Sequence, residues 1–295
     1  MDGILLIDKP EGITSNNLVQ KIKNQLKKLI GTDIKVGHTG TLDSFATGLM
    51  LITLGKATRF TEYFQGLDKV YIATGELGKI TDTYDKNGKI IEIKTCKLQE
   101  EFLLKIIKLF EGTYLQVPPP YSSKRIKGIR AYQLAKKGIT PRLKPKKITV
   151  YKIDVINIEF PYFTIKIHCS SGTYVRSLVK EIGDKTSCGA YTVSLRRTKI
   201  GKFSIEEALS LMQFKNMNLD EIKAKLIKVD KALYFFESIN LDEGLDVRFA
   251  YGQRFHVDYD YKGLVKVYNK KGDFLGLGKI KDNGILQPIK VVVNS

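Results

Sequence analysis

The first part of the chain combines short apolar runs with amphipathic stretches of helical spacing. Residues 3–8 form an apolar run that predicts a buried strand. Ser15 then occupies the position of a helix N-cap. The apolar residues that follow it at helical spacing are Leu18, Val19, Ile22, Leu26 and Leu29. A helix is therefore expected to run to about Ile30.

Further strands and helices are predicted from the same periodicities. The strands lie at 50–54, 70–77, 89–93, 148–160 and 163–169, and the helices at 98–111 and 173–185. Strands 70–77 and 89–93 are expected to pair across the polar turn 81–88. Ser204 and Glu207 have the spacing of a capping box, which predicts one more helix after them.

The pattern changes after about Tyr234. Turns are marked by four glycines at intervals of 11, 9 and 12 residues: Gly252, Gly263, Gly272 and Gly284. Short alternating runs such as residues 264–268 lie between them, which is typical of a small all-β barrel or sandwich. We therefore predict two domains, residues 1–234 and residues 235–295.

The composition is that of a packed globular protein. Of 295 residues, 43% are hydrophobic and 27% are charged, which excludes a largely disordered chain. No run approaches the roughly 18 apolar residues of a membrane span, and the N-terminus lacks a signal-peptide pattern. The three cysteines, Cys96, Cys169 and Cys188, form no pair motif. They argue against a disulfide framework and favour a reducing, cytoplasmic location.

The net charge of +18 is unevenly distributed. Residues 237–295 contribute +1 and residues 1–236 contribute +17. Between Glu111 and Asp154 there is no acidic residue, whereas eleven residues are basic and tyrosines interleave with them. Such a run favours a nucleic-acid partner over a membrane surface. A solvated surface loop is the alternative.

Several common chemistries lack their motifs. Neither a Walker-type phosphate loop nor a Cys-x-x-Cys pair occurs. His38, His168 and His256 are scattered, which argues against a histidine-rich metal site. His168 lies beside Cys169 on an alternating run and is interpreted as structural. We therefore predict no metal site.

One dense cluster of polar residues remains, GHTGTLD at residues 37–43. It combines a flexible backbone with the imidazole of His38 and the carboxylate of Asp43. The residues alone leave two interpretations open. Either Asp43 is a reactive group, or it is the N-cap of a helical turn at residues 44–49 with the glycines supplying a tight bend.

At this cluster the chain resembles the TruB family of pseudouridine synthases. Its motifs stand in family order over roughly the first 200 residues: 6–15 (LIDKPEGITS), 37–48, Tyr71, 77–85, 116–122, 172–176 (GTYVR) and 195–197 (LRR). Residues 274–278 and 287–288 resemble the small PUA-type RNA-binding domain that follows in this family. The chain departs from the family pattern at Ser44, where proline is usual, and at Ser123, where alanine is common.

The resemblance implies both a fold and a reaction. The fold is α+β, a catalytic domain with a mixed, largely antiparallel central sheet flanked by helices, followed by a small all-β PUA-like domain. The reaction converts the T-loop uridine at position 55 of tRNA to pseudouridine, as the C1′–N1 bond breaks, the uracil turns and a C1′–C5 bond forms. No cofactor is needed, because nothing is oxidised, reduced or hydrolysed overall. The uridine must flip out of its loop to reach the pocket.

The resemblance assigns the catalytic role to Asp43. A carboxylate suits a sugar carbon that becomes cation-like as its base departs. It could add to a reacting carbon or remove the 2′ proton, and the sequence leaves both paths open. Arg176 matches the family arginine that pairs with the aspartate, where its guanidinium would keep the carboxylate charged and oriented. The alternative for Arg176 is an exposed base on a helix.

Four further residues match substrate-binding positions of the family. Tyr71 matches the tyrosine that stacks on the target base, and its phenol is a candidate for taking the C5 proton. The alternative for Tyr71 is a core aromatic. Tyr174 and Leu195 match positions that line the uracil pocket. His38 matches a residue that fills the space of the flipped nucleotide and does not act as a base.

The basic stretch corresponds to a family insertion, here at about residues 121–152, that closes over the RNA. Its expected RNA-binding residues are Lys124, Arg125, Lys127, Arg130, Lys144, Lys146 and Lys147. Much of it is expected to be disordered without RNA. The expected partner is the T-arm of tRNA, with no membrane and no obligatory protein partner, and we expect a monomer.

Three other functions are the alternatives. An RNA-folding factor without catalysis is disfavoured by the intact catalytic set. A relative that acts on ribosomal RNA with guide RNA and partner proteins is disfavoured because the chain starts two residues before its first strand and ends soon after Pro288. A glycoside hydrolase that uses Asp43 with Asp82 or Asp85 is disfavoured by the strong positive charge.

Overall fold

A computed structural model describes residues 1–122, 125–126, 128–136, 138–139, 141 and 143–292. The strands are β1 (Gly3–Lys9), β2 (Val36–His38), β3 (Thr47–Leu54), β4 (Lys69–Leu77), β5 (Lys79–Thr81), β6 (Ile90–Ile93), β7 (Gly112–Gln116), β8 (Arg125–Ile126), β9 (Ile129–Arg130), β10 (Lys146–Glu159), β11 (Tyr162–Cys169), β12 (Ala190–Ile200), β13 (Phe203–Ser204), β14 (Leu209–Ser210), β15 (Glu237–Asn240), β16 (Phe255–His256), β17 (Gly263–Tyr268), β18 (Phe274–Ile280) and β19 (Ile285–Val291). The helices are α1 (Ser15–Ile30), α2 (Thr61–Gln65), α3 (Glu100–Lys108), α4 (Ala131–Lys136), α5 (Val175–Lys185), α6 (Leu211–Asn216), α7 (Leu219–Ala224), α8 (Val229–Ala232) and α9 (Leu245–Ala250). Within these described residues, no helix is both long and apolar enough to cross a bilayer.

A large mixed sheet forms the first part of the molecule. Its strands follow the order β14-β1-β3-β12-β4-β11-β10-β7, with β2 paired to β3 and β13 paired to β12. The pairs β1–β14 and β3–β12 are parallel, and the other pairs along this order are antiparallel. The apolar faces of α1, α3 and α5 pack into the same core as the sheet. This arrangement confirms the predicted α+β fold with a largely antiparallel central sheet.

A second, smaller sheet is built from residues 237–291 in the order β15-β17-β18-β19-β16. It has a core of its own, to which α9 contributes the fully buried Phe249. Phe274 of β18 packs against Phe60 of the first part, with ring centroids 6.0 Å apart. The predicted small C-terminal β domain is confirmed, with α9 as a helical addition. The domain boundary near Tyr234 stays a prediction.

Two predicted helix starts are wrong. The N-cap of α1 is Thr14, whose hydroxyl accepts a backbone hydrogen bond of 3.1 Å from the helix. Ser15 is not the cap because its hydroxyl is buried and bonds the backbone of Leu42 instead. The pattern at Ser204 leads only to a 3-10 turn, Ile205–Glu207, because the chain then continues extended into β14.

The expected pairing of strands 70–77 and 89–93 is also wrong. The first of them is β4, which lies in the middle of the large sheet between β11 and β12. The second is β6, which pairs with β5 in a separate hairpin. The physical reason is burial: β4 has apolar residues to enclose, whereas Ile90, Ile91 and Ile93 of β6 are all more than half exposed.

The three cysteines argued against a disulfide framework, but the structure contains one disulfide. Cys96 and Cys188 form a disulfide, because the segment before α3 passes beside the turn that follows α5. Their separation of 92 residues in the sequence hides the pair from any local motif. Cys169 is free and buried in β11.

Candidate active site

One cleft of about 690 Å³ lies over the middle of the large sheet, where β4 and β12 run side by side. The structure brings the predicted catalytic residue and all the predicted substrate-binding residues into its lining: His38, Asp43, Tyr71, Tyr174, Arg176 and Leu195. These residues are spread over more than 150 positions of the sequence. The candidate site is therefore a product of the tertiary fold.

Asp43 lies in the loop of residues 39–46 between β2 and β3, which we name the aspartate loop. The chain passes from this loop directly into β3, which excludes the alternative interpretation of Asp43 as the N-cap of a helical turn at 44–49. Its side chain is 40% exposed, and its Oδ2 lies 2.9 Å from Nε of Arg176. Arg176 is only 3% exposed, which excludes the interpretation of a surface base.

The guanidinium of Arg176 is held on all sides. Its Nη1 donates to Oδ2 of Asp85 at 2.9 Å and to the Thr83 carbonyl at 2.8 Å. Its Nη2 donates to the Tyr121 carbonyl at 2.8 Å. The buried Asp85 carboxylate in turn accepts from the Thr83 hydroxyl at 2.8 Å and from the Asn87 backbone at 3.0 Å. Asp85 thereby fixes the arginine that contacts the Asp43 carboxylate.

The walls of the cleft desolvate the Asp43 carboxylate although 40% of its side chain is exposed, and this desolvation raises its pKa above the ordinary value of 3.8. The positive charge of Arg176 opposes this rise in pKa, the negative charge of Asp85 adds to it, and the charge of Lys9 opposes it. A raised pKa makes the carboxylate a better base and nucleophile once it is ionised.

The aspartate loop is anchored to the junction between β1 and α1. Lys9 is fully buried, and its Nζ donates to the Ser44 carbonyl at 3.4 Å and to two carbonyls of the junction itself. The Gly12 backbone also donates to the Ser44 carbonyl, at 2.8 Å. Ser15 bonds both the N–H and the carbonyl of Leu42, at 2.8 and 2.9 Å. Because Ser44 contributes its backbone carbonyl, the departure from proline leaves these contacts in place.

Tyr71 and Leu195 come from the two central strands. Tyr71 of β4 stands opposite Arg197 of β12, and both side chains line the cleft. Tyr71 is 9% exposed and Leu195 is 7% exposed, and burial raises the pKa of the Tyr71 phenol. Gly48 allows β3 to approach β12 closely, since its φ is +112° and an added Cβ would lie 2.3 Å from the Arg197 carbonyl oxygen.

Tyr174 is positioned through its backbone. The side-chain amide of Gln116 accepts from the Tyr174 N–H at 2.8 Å and donates to its carbonyl at 3.1 Å. One turn into α5, the Ser177 hydroxyl donates to the Val117 carbonyl at 2.9 Å. The end of β7 therefore fixes the start of α5, which carries both Tyr174 and Arg176.

His38 ends β2 at the rim of the aspartate loop. Its Nδ1 accepts a 3.3 Å hydrogen bond from the Gly40 backbone. Burial lowers the pKa of this imidazole, and the nearby charge of Arg197 lowers it further. A neutral ring with one nitrogen already occupied agrees with a space-filling role better than with a role as a base.

The basic stretch is described only in part. The predicted RNA-binding residues Lys124 and Lys127 lie outside the described residues. Arg125 and Arg130 are paired backbone positions of the short hairpin β8–β9. The expected disorder of this stretch without RNA stays a prediction.

The C-terminal end of the basic stretch lies beside the cleft. Lys144 and Lys147 are exposed. Lys146, at the start of β10, donates to the Ser171 carbonyl at 3.3 Å, next to the cleft-lining turn before α5. The positive charge of this segment therefore adjoins the candidate site.

The structure adds residues to the candidate site that the sequence-based set lacked. Lys9, Asp85, Gln116 and Arg197 stand in the motifs that carry the family resemblance, so their positions were visible but their contacts were not. Lys69 belongs to no motif, yet it lies two positions before Tyr71 on β4, which puts both side chains on one face of the strand. Within the described residues, no cluster of three or more acidic, histidine or cysteine residues could hold a metal.

Three family models match the chain. "TruB family pseudouridylate synthase (N terminal domain)" matches residues 27–175. "tRNA pseudouridylate synthase B C-terminal domain" matches residues 176–236, and "Pseudouridine synthase II TruB, C-terminal" matches residues 238–292.

Curated relatives match over almost the full length. The tRNA pseudouridine synthase B of Aquifex aeolicus (strain VF5) is 42% identical and is matched over 99% of this chain and 100% of the relative. The protein of the same name from Clostridium kluyveri is 38% identical, with 96% of each chain covered.

Solved structures share the fold. A chain of an H/ACA ribonucleoprotein bound to a substrate RNA containing 2′-deoxyuridine has a TM-score of 0.73 at 23% identity, covering 99% of this chain and 85% of that one. A chain of an archaeal box H/ACA ribonucleoprotein complex has a TM-score of 0.70 at 22% identity, covering 98% and 85%. From the family match and the full-length relatives, the chain belongs to the TruB family of pseudouridine synthases, which are isomerases.

Proposed function

We propose that this enzyme isomerises the T-loop uridine at position 55 of tRNA to pseudouridine, with Asp43 as its catalytic residue. The observation that carries the proposal is the contact between Asp43 and the buried Arg176, inside a cleft large enough for a nucleotide. Curated relatives at 38% and 42% identity are named tRNA pseudouridine synthase B, which supports tRNA as the substrate.

The carboxylate of Asp43 supplies the negative charge that this reaction requires. The C1′–N1 bond breaks, the detached uracil turns and the C1′–C5 bond forms. The C5 proton leaves to solvent and N1 takes up a proton, so the formula is unchanged and only the C5 hydrogen is exchanged. Asp43 begins this sequence either by adding to a reacting carbon or by removing the 2′ proton. Both paths need an ionised carboxylate in one fixed direction, and the 2.9 Å contact with Arg176 supports that geometry.

The remaining cleft residues suit a flipped uracil. Tyr71 is 9% exposed and would stack on the base, and its phenol is the proposed acceptor of the C5 proton in the last step. Leu195 and Tyr174 form apolar surface around the base. Flipping costs a few kcal/mol of stacking, which contacts of this kind offset. His38 would fill the space that the nucleotide leaves in the RNA.

The partner is the T-arm of tRNA, held by the basic stretch next to the cleft. Lys144 and Lys147 are free to reach phosphates from the surface, and Lys146 lies nearer the cleft. Lys124, Arg125, Lys127 and Arg130 complete the proposed RNA-binding set. The isomerisation requires no cofactor, because it involves no net oxidation, reduction or hydrolysis.

The assignment is tested by release of tritium from an unmodified T-loop hairpin labelled at C5 of the target uridine. Asp43→Asn is expected to lower the single-turnover rate by about 100- to 10,000-fold, because an amide can neither accept a proton nor act as a nucleophile here. Asp33→Asn is the matched control, since Asp33 is an exposed carboxylate that pairs only with surface lysines among the described residues. Tritium release at the wild-type rate by Asp43→Asn would falsify the catalytic assignment.

A further inference from the structure

Two buried cations line the cleft in addition to Arg176. Arg197 is 1% exposed and Lys69 is 6% exposed, and both belong to the cleft lining. They flank the stacking tyrosine: Lys69 precedes Tyr71 by two positions on β4, and Arg197 stands opposite Tyr71 on β12. One wall of the cleft therefore carries two positive charges around the ring that faces the base.

The partners of Arg197 are neutral. Its Nε donates to the Leu49 carbonyl at 2.8 Å, and its Nη2 donates to the Gly40 carbonyl at 3.1 Å. Among the residues that the structure describes, no carboxylate forms an ion pair with it. Carbonyl groups satisfy the hydrogen bonds of a guanidinium but leave its net charge uncompensated, which is costly inside a protein.

Lys69 has the same kind of environment. Its Nζ donates to the Gln65 carbonyl at 2.7 Å and to the Leu67 carbonyl. The neighbouring Asp68 is engaged with His168, and within the described part of the chain no ion pair includes Lys69. An ammonium has three donors, and the two carbonyls account for two of them. Burial, followed by the charge of Arg197, lowers the pKa of Lys69 to about 8, so the side chain is still mostly protonated at neutral pH.

The charge of the third buried cation, Arg176, is already neutralised within the protein. Arg176 is shared between Asp43 and Asp85, so its charge has two counterions within the protein. The uncompensated positive charge lies instead on the wall of Lys69 and Arg197, and the group that balances it must come from the ligand. In RNA, a phosphodiester is the group that carries a negative charge at neutral pH.

We propose that Lys69 and Arg197 bind a phosphodiester next to the flipped uridine, so that this cationic wall recognises the target as part of an RNA strand and not as a base. The inference rests on the proposed function and assigns one contact of the substrate. Lys69 and Arg197 are thus proposed to bind the substrate. They also hold neighbouring backbone segments through the hydrogen bonds described above.

The experiment pairs a neutral phosphate with a neutral side chain. Three T-loop hairpins are compared, one with natural linkages and two with an uncharged methylphosphonate either 5′ or 3′ of the target uridine. For the wild-type enzyme we expect one of the two neutral linkages to weaken hairpin binding by about 10-fold, in the range of a lost charged hydrogen bond. For Lys69→Met we expect the same linkage to have no further effect.

A purely structural role for Lys69 predicts a different result, because a distorted cleft would weaken natural and neutral hairpins by the same factor. Lys69→Arg keeps the charge and is expected to keep the preference for the natural linkage. Lys166→Met, which removes an exposed lysine of β11, is the matched control and should behave as the wild type.

The outcomes separate this inference from the proposed function. Tritium release by the wild type with no effect of either neutral linkage overturns the phosphate contact and leaves the isomerase assignment intact. No turnover of any hairpin by the wild type contradicts the proposed function and this inference with it. If Lys69→Met fails to fold, two measurements still decide: the comparison of the three hairpins with the wild-type enzyme, and the same comparison with Lys69→Arg.

Discussion

Arg176 and Arg197 are both buried in the wall of one cleft, yet they differ in what surrounds them. Arg176 lies between two carboxylates, Asp43 and Asp85. Arg197 donates hydrogen bonds to the backbone carbonyls of Leu49 and Gly40. Burial of an arginine therefore says little about its role, whereas the charge of its partners says a great deal. The first arginine completes a network inside the protein, and the second leaves a charge for a ligand to complete.

The two arrangements respond differently to mutation. Removing the cation from a buried ion pair leaves carboxylates without compensation, which typically costs about 3–5 kcal/mol. Removing a cation whose partners are carbonyls costs hydrogen bonds, each on the order of 1.5–3 kcal/mol where one partner is charged. Measuring stability and turnover separately for substitutions on each wall of the cleft tests this difference.

The largest effect is expected for Arg176→Met. It leaves the carboxylates of Asp43 and Asp85 close together without their cation, so we expect a loss of about 3–5 kcal/mol in the free energy of unfolding. Turnover should fall on the order of 100-fold or more, because a misdirected carboxylate reacts slowly. Urea unfolding and tritium release measure the two quantities.

Arg196→Met is the matched control for that substitution. Arg196 forms an ion pair of 2.7 Å with Asp8, but its side chain is 41% exposed. A pair of this exposure should contribute less than about 1 kcal/mol. Equal stability of Arg176→Met and Arg196→Met would contradict the view that the Arg176 network is a buried unit.

The next effect is a shift in pH dependence. In the proposed mechanism the ionised form of Asp43 is the active one. We therefore expect kcat/KM to fall as the pH drops through the pKa of Asp43, which desolvation raises above 3.8. The negative charge of Asp85 makes ionisation of Asp43 harder, and Asp85→Asn removes that charge. The acid limb of the pH profile is therefore expected to move to lower pH in Asp85→Asn. Asp82→Asn, in the same turn, is the control and should leave the limb in place.

An unmoved acid limb, or one displaced to higher pH, would show that Asp85 acts on Asp43 through the position of Arg176 and not through its charge. The two routes give different results. Loss of the Asp85 charge moves the acid limb to lower pH, whereas a displaced Arg176 lowers the plateau of kcat/KM.

The regular elements could be predicted from sequence wherever one periodicity dominated. The apolar run of β1, the helical spacing of α1 and the glycine spacing of the C-terminal region all translated into the observed structure. Sheet partners did not, because β4 gains its neighbours from strands about 90 and 120 positions later in the chain. A propensity or a turn motif carries no information about such distant partners.

The candidate site, like the fold, could be predicted from the sequence only in part. The residues alone could not decide whether Asp43 was reactive or a helix cap, since a glycine-rich turn before an aspartate suits both. The family resemblance pointed to the pair with Arg176, and the geometry now places Asp85 behind it. Lys69 escaped notice because no motif contains it. Its environment is visible only once Gln65 and Leu67 are seen to surround it.

A smaller effect is expected outside the cleft, from neutralising Lys144, Lys146 and Lys147 together to glutamine. Exposed cations attract RNA through its ionic atmosphere, so each lost phosphate contact should reduce the slope of log affinity against log salt by about 0.7 to 0.9. Titrations of a T-arm hairpin at several salt concentrations measure this slope. Turnover of bound hairpin should stay close to the wild-type rate, in contrast to substitutions in the cleft.

Three exposed lysines on α1 provide the control: Lys21, Lys27 and Lys28. Their replacement changes the net charge equally, but outside the basic stretch and at least six residues along α1 from Ser15, which contacts the aspartate loop, so the salt slope should change less. Identical slopes for both triple variants would mean that the basic stretch contributes only bulk charge.

The smallest effect on catalysis is expected from reducing the disulfide between Cys96 and Cys188. Opening a long loop in the native protein should lower the free energy of unfolding by about 2–4 kcal/mol, measured by urea unfolding with and without reductant. Turnover should stay within about twofold, because neither cysteine lines the cleft and α5 places roughly 15 Å between Arg176 and the turn of Cys188. Cys96→Ser should show the reduced stability at once and no response to reductant. A drop in turnover on reduction would instead mean that the position of Arg176 depends on this disulfide. The ion pairs with Asp43 and Asp85 would then not be sufficient to hold Arg176 in place.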